Sequence, residues 1–263
     1  MTDSGSFDIA VTALQMEDLS QRLASWIREQ VAQAGCRGVV VGLSGGIDSA
    51  VVAVLGKRAF PDNVLAVVMP CHSDERDMED AHLVARTFAI PTETVTLDNT
   101  FDSILKALPD NGFDPGTLRL AEANLKPRLR MSTLYYYANR LRYLVAGTCN
   151  RSEIAVGYAT KYGDSGVDIL PLANLLKSEV RELAGYLGIP ETVIRKAPSA
   201  GLWEGQTDEG EMGITYEELD RYLSTGQATD KVRERIDALA RATAHKRAAP
   251  PAPLPVDNDT AHR

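Results

Sequence analysis

Residues 44–49 read Ser-Gly-Gly-Ile-Asp-Ser and directly follow an apolar run at 39–43. That combination suits phosphate chemistry. Gly45 and Gly46 admit positive φ and close backbone approach, so successive N–H groups of the turn and of a following helix converge on an anion. The Ser44 and Ser49 hydroxyls add donors, and the Asp48 carboxylate can hold Mg²⁺ against phosphate oxygens. An ordinary strand-turn-helix junction would use the glycines but has no need of the serines or the acid. Ile47 stands where a P-loop would carry its lysine, and no G-x-G-x-x-G pattern with a distant acid fits here.

Three further blocks carry chemistry-bearing residues. Residues 124–131 read Asn-Leu-Lys-Pro-Arg-Leu-Arg-Met. Pro127 suits the first turn of a helix, which would place Lys126, Arg128 and Arg130 near its positive end. Bases there disfavour the helix, so anion binding is the preferred reading over a solvated basic face. Tyr135, Tyr136 and Tyr137 follow; such a run serves a core or a subunit interface as readily as a stacking surface, and no role is assigned. Residues 147–153, Gly-Thr-Cys-Asn-Arg-Ser-Glu, are again a strand end turning into a helix. Thr148 would share a sheet edge with Ser44. Glu153 either faces Asp48 to complete a Mg²⁺ site or is a solvated partner of the helix dipole. A glycine-rich segment at 160–168 holds Lys161, Asp164 and Asp168, and Lys177 and Ser199 lie on or after later helices. Taken singly, each is open to reading as surface decoration.

The elements that must position these residues alternate. Leu19, Leu23, Trp26, Ile27 and Val31 recur at helical spacing, predicting an amphipathic helix that ends at Gly35. Strands are predicted from Gly38 and over 64–69, 92–97, 143–147 and 167–170, with helices over 50–60 and 74–88 between them. Such alternation implies right-handed crossovers and a parallel sheet with helices on both faces, its ligands at the strand carboxyl ends. One domain over 1–247 is expected, followed by a flexible Ala/Pro-rich tail at 248–263.

Composition narrows the setting. A net charge of −8 over 263 residues argues against a nucleic-acid partner. Cys36, Cys71 and Cys149 are scattered, with no C-x-x-C pair, which fits a reducing compartment. No signal peptide or membrane span is legible, so a cytoplasmic protein is expected.

The 44–49 motif resembles the signature of the ATP pyrophosphatases, which cleave ATP between the α- and β-phosphates and adenylate an acceptor. Residues 16–252 as a whole resemble the ammonia-dependent NAD synthetases. The resemblance is carried in order by SGGIDS, NLKPRLRM, GTxxxSE, TKYGDSGVDILPL, PSAGLWEGQTDEGEMGITY and the His245-Lys246 pair. It implies an α/β, Rossmann-like three-layer sandwich with a mostly parallel five-stranded sheet flanked by helices. Gly42, Leu43, Ser44, Gly45, Gly46, Ile47, Asp48 and Ser49 would bind ATP phosphates, and Thr148, Lys177 and Ser199 would contact ATP. Asp48 and Glu153 would hold Mg²⁺. Arg128, Lys161, Asp168, His245 and Lys246 would bind deamido-NAD. In catalysis Lys177 and Lys161 would offset phosphate charge, and Asp168 would orient or deprotonate ammonium. Cys149 and Asn150 fall where family members differ and receive no role. The resemblance further implies a homodimer, and ammonia either free or delivered by a glutaminase in trans, since an added amidase domain is not accommodated. Residues 200–213, with Trp203 among glycines and acids, read as a lid over the reactive adenylate in preference to a disordered connection.

Two other readings are weaker. A tRNA-modifying relative predicts zinc-type cysteine pairs or a basic appendage, and neither is present in the sequence. A nucleotide sensor without turnover predicts erosion at Asp48, Glu153 or Lys177, and all three are intact.

Overall fold

The structure is a computed structural model that describes residues 4–109, 112, 114–203 and 205–253. Strands β1 (Gly38–Gly42), β2 (Val64–Val68), β3 (Thr92–Thr94) and β4 (Tyr143–Val145) form one parallel sheet in the order β3-β2-β1-β4. Val39 pairs with Val64 on one side of β1 and with Leu144 on the other. From β1 the chain steps outward to β2 and β3, then returns to lay β4 on the opposite flank. The switch point therefore lies between β1 and β4, and the crevice beyond their carboxyl ends is where such sheets receive ligands.

β1 and β2 are apolar without alternation because both faces are covered. Val39 and Val41 enter a core shared with α1 (Ser4–Gln33), α2 (Ile47–Ala59) and α7 (Lys177–Leu187), while Val40 enters a second core with α4 (Asp98–Ala107) and α5 (Pro115–Leu141). α3 (Glu75–Thr87) and α8 (Glu191–Ile194) extend the first core. A third, smaller core is entirely helical. It joins Val156 of α6 (Arg151–Val156), Met212 of α9 (Asp208–Met212), Tyr216 and Leu219 of α10 (Tyr216–Thr225), and Ile236 of α11 (Asp230–Ala242).

Three expectations are corrected. The sheet has four strands, not five, because the segment predicted at 167–170 makes only an isolated bridge between Ile169 and Ala146. Asp168 uses its carboxylate to accept the Val145 N–H at 2.8 Å, while its own N–H and that of Ile169 both converge on the Val145 carbonyl. Pro171 then lacks the N–H a ladder would need. The strand expected over 92–97 stops at Thr94, although Val95 N–H still reaches the Val68 carbonyl at 2.9 Å. The basic stretch does not open a helix: it sits inside the 27-residue α5. Asp114 caps that helix by accepting the Gly116 and Thr117 N–H groups, each at 3.1 Å, and Pro115 occupies the first turn, where a missing N–H does no harm.

Among the described residues no helix is long and apolar enough to cross a membrane. Residues 248–253 are exposed and without regular structure; the remainder of the expected tail, 254–263, lies outside the described residues.

Candidate active site

A cleft of about 1060 Å³ opens at the β1–β4 switch point. Its floor begins with the glycine turn. Gly45 has φ +78°, and a Cβ there would lie 2.2 Å from the Asp77 carbonyl of α3, so conformation and space both require glycine. The two serines knit the turn together. Ser49 Oγ donates to the Gly46 carbonyl at 2.8 Å and accepts from the Ser44 N–H at 3.2 Å, and the two hydroxyls meet at 3.1 Å. Ser49 is buried, so its hydroxyl maintains the shape of the turn. The N–H groups of the first turn of α2 are the anion donors this geometry provides.

Three helix starts converge beside the turn. Asp48 lies in the first turn of α2, Glu153 in that of α6, and Lys177 opens α7. Lys177 Nζ, only 2% exposed, donates to Asp48 Oδ2 at 2.5 Å and to Glu153 Oε1 at 3.2 Å. Burial alone would lower the lysine, but the two carboxylates outweigh it and hold the ammonium above its ordinary range. Burial, reinforced by the nearby Asp48 charge, pushes Glu153 up against the opposing pull of Lys177. Two acids thus share one buried cation. Asp48 and Glu153 are the residues here that could hold Mg²⁺, which takes one or two carboxylates and fills its remaining positions with water and phosphate oxygens.

Asn150, given no role by the sequence reading, ties the acids together. Its Nδ2 donates to Asp48 Oδ1 at 2.9 Å, its Oδ1 accepts the Glu153 N–H at 3.0 Å, and its own N–H donates to Glu153 Oε2 at 3.2 Å. The signal was present, because Asn-x-x-Glu after a strand is a capping box. Tyr216 and Asp208 were also missed, and no local pattern marks them. The Tyr216 hydroxyl lies 2.9 Å from Asp208 Oδ2 and 3.3 Å from Glu153 Oε1.

The expected ATP set gathers here. Apart from Gly45, residues 42–49 line the cleft, as do Thr148, Glu153, Lys177 and Ser199. The expected dinucleotide set is divided. Lys246 lines the cleft, but its ammonium donates to the Gly157 and Ala159 carbonyls at 3.0 and 2.7 Å. Arg128, Lys161, Asp168 and His245 fall outside the cleft lining. Arg128 Nε donates to the Lys161 carbonyl at 3.3 Å, and Asp168 accepts from the Tyr135 hydroxyl at 3.0 Å as well as from Val145 N–H. His245 is exposed.

The other two bases of the 124–131 stretch act as anchors. Lys126 Nζ donates to the Leu202 carbonyl at 2.9 Å and Arg130 Nε to the Met69 carbonyl at 3.1 Å. Trp203 lines the cleft with the Arg119 guanidinium 4.5 Å from its ring centroid. Lys196, four residues ahead of the 200–213 stretch, pairs with Asp77 and Asp80 of α3 at 2.6 and 2.7 Å. The 200–213 stretch thus packs on α5 through Leu202 and Trp203, and its last part is the helix α9.

Comparison with known proteins places this geometry. The sequence profile described as NAD synthase matches residues 19–250. An NH(3)-dependent NAD(+) synthetase of Carboxydothermus hydrogenoformans is 50% identical over 238 residues, covering 90% of this chain and 98% of that protein. A structure titled NMN synthetase from Francisella tularensis superposes with a TM-score of 0.84 at 38% identity, covering 90% of this chain and 98% of that one. An NH3-dependent NAD synthetase from Campylobacter jejuni superposes with a TM-score of 0.74 at 30% identity, covering 91% and 99% respectively. With the glycine turn, the buried lysine between two acids and these likenesses together, the chain belongs to the NAD synthase family.

Proposed function

We propose that this chain amidates deamido-NAD with ammonia at the expense of ATP, giving NAD, AMP and pyrophosphate. The observation that carries the reading is Lys177 seated between Asp48 and Glu153 beside the anion-binding turn. The nicotinate carboxylate attacks the α-phosphorus of ATP, and pyrophosphate departs. Ammonia then adds to the carboxyl carbon of the adenylate and AMP leaves. The turn N–H groups hold the phosphates in line, and the Lys177 ammonium offsets charge growing on the leaving oxygens. Asp48 and Glu153 would hold Mg²⁺, whose chemistry there is neutralisation of pyrophosphate charge. The segment bearing Trp203 excludes water, which would otherwise hydrolyse the adenylate.

Arg128, Lys161, Asp168, His245 and Lys246 are assigned to the dinucleotide in this reading. Four of the five lie outside the single-chain cleft, which supports completion of that subsite by a second copy in a homodimer. Ammonia is taken free, with a glutaminase in trans as an optional source. Residues 1–247 act as one unit in the cytoplasm, where the three thiols stay reduced.

The test is the formation of AMP and NAD by purified protein from ATP, Mg²⁺, deamido-NAD and ammonium. Equimolar products, lost in Asp48→Ala and Glu153→Ala, are expected; pyrophosphate release without NAD would overturn the acceptor. A second reading, amidation of nicotinate mononucleotide, is favoured by the likeness to the Francisella tularensis structure. Comparing kcat/KM for the two acceptors in one preparation decides between them.

A further inference from the structure

We propose that Asp220 is a positioning residue that holds Lys177 against Asp48 and Glu153, an inference resting on the assignment of Lys177 to the ATP site. Leu176, ahead of α7, has no side-chain acceptor to offer, and Glu179 in the helix's own first turn accepts the Leu176 N–H at 2.7 Å, not those of Lys177 or Ser178. The first N–H groups of a helix have no partner within it, and Lys177 is buried, where an unmade hydrogen bond is expensive, while Ser178 beside it is exposed. Those of Lys177 and Ser178 are satisfied from two other helices. Lys177 N–H donates to Ser152 Oγ of α6 at 3.1 Å, and Ser178 N–H donates to Asp220 Oδ2 of α10 at 2.8 Å. The Ser152 hydroxyl in turn donates to Asp220 Oδ1 at 2.5 Å.

One carboxylate thus grips the neighbours in sequence of both working residues, Ser152 beside Glu153 and Ser178 beside Lys177. Ser152 is fully buried and Asp220 only 7% exposed, so solvent is poorly placed to substitute. Carboxylate-accepted bonds are the strong kind, and a negative charge at the start of the 11-residue α7 matches the helix dipole.

Asp220 itself lies away from the chemistry. It borders a separate hollow with Arg181 and Arg221 and does not line the cleft. It reaches the site from behind, together with Tyr216 four residues earlier on the same helix face. The Tyr216 ring centroid is 4.9 Å from Lys177 Nζ, and its hydroxyl is the one near Glu153. α10 therefore meets the site in two ways, directly through the Tyr216 ring and hydroxyl and indirectly through the Asp220 bracket on Ser152 and Ser178. Lys177 has a long, rotamer-rich side chain, and its aim depends on where its Cα is fixed.

A double-mutant cycle tests this with full-length enzyme. Asp220→Asn keeps the volume but cannot accept both bonds, and is expected to lower kcat about 10-fold or more with KM for the dinucleotide within about twofold. In a Lys177→Arg background the same change should lower kcat by less than about twofold, because no correctly seated ammonium remains to be displaced. Equal losses in both backgrounds would mean a general structural role and overturn the proposal. If Asp220→Asn does not fold, Ser152→Ala, which removes one arm of the bracket, goes through the same cycle with the same two outcomes. A Lys177→Arg enzyme with undiminished turnover would remove the assignment of Lys177 itself, and the proposal with it.

Discussion

The two halves of the site are built differently. The half proposed for the nucleotide triphosphate is closed in a single chain: a turn knitted by its own serines, three helix starts converging, and a 2%-exposed lysine satisfied by two acids. The half assigned to the dinucleotide is spread over α5, the 160–168 segment and the C-terminal segment. Arg128 and His245 there are exposed, and Lys246 is already engaged by backbone carbonyls. Binding a small, densely charged group calls for a rigid, buried constellation. A long, less charged acceptor can be recognised by separate contacts, some of them from a second chain.

The largest effect that would break this comparison comes from the buried half. Lys177→Ala or Asp48→Ala is expected to cut turnover by about 10³-fold, since each removes a preorganised charge at the phosphates; AMP release by each variant is the measurement. A loss under tenfold would mean the buried cluster is structural only. Next, Arg128→Ala is expected to raise KM for the dinucleotide about 10-fold or more while KM for ATP stays put, the scale of a lost charge-assisted bond. A parallel rise in both constants would merge the two halves.

Asn150→Ala should act on both stability and chemistry. Loss of the α6 cap is expected to destabilise by about 1–2 kcal/mol, a few degrees in melting temperature for a domain of this size, and to weaken Mg·ATP binding through a loosened Asp48. The smallest effect concerns the outer half. Burial, then the adjoining Asp168, pushes the Tyr135 phenol up to about 12 from 10. The folded chain keeps that proton while the unfolded one releases it, so stability falls as pH rises from about 10 to about 12. Tyr135→Phe should show a shallower loss across that window in melting experiments.

How much was legible followed the range of the interactions. The glycine turn, β1, β2 and the amphipathic helices could be read because φ preferences, caps and apolar periodicity are local. The start of α5 is marked by Asp114 and Pro115, upstream of Pro127, whose own first-turn preference points to a later start. The fifth strand failed because Asp168 spends its own carboxylate on the chain it was expected to ladder with.

The sequence by itself determined the glycine turn and the alternating α/β plan and marked Asp48, Glu153 and Lys177 as candidates, because residue type and short-range spacing suffice for each. Only the tertiary structure decided that Lys177 lies between those two acids, that Asn150 and Asp220 hydrogen-bond across the three helix starts, and that Lys126 and Arg130 of α5 anchor backbone carbonyls. These are contacts between segments far apart in the chain, and their partners are chosen by how the three cores pack.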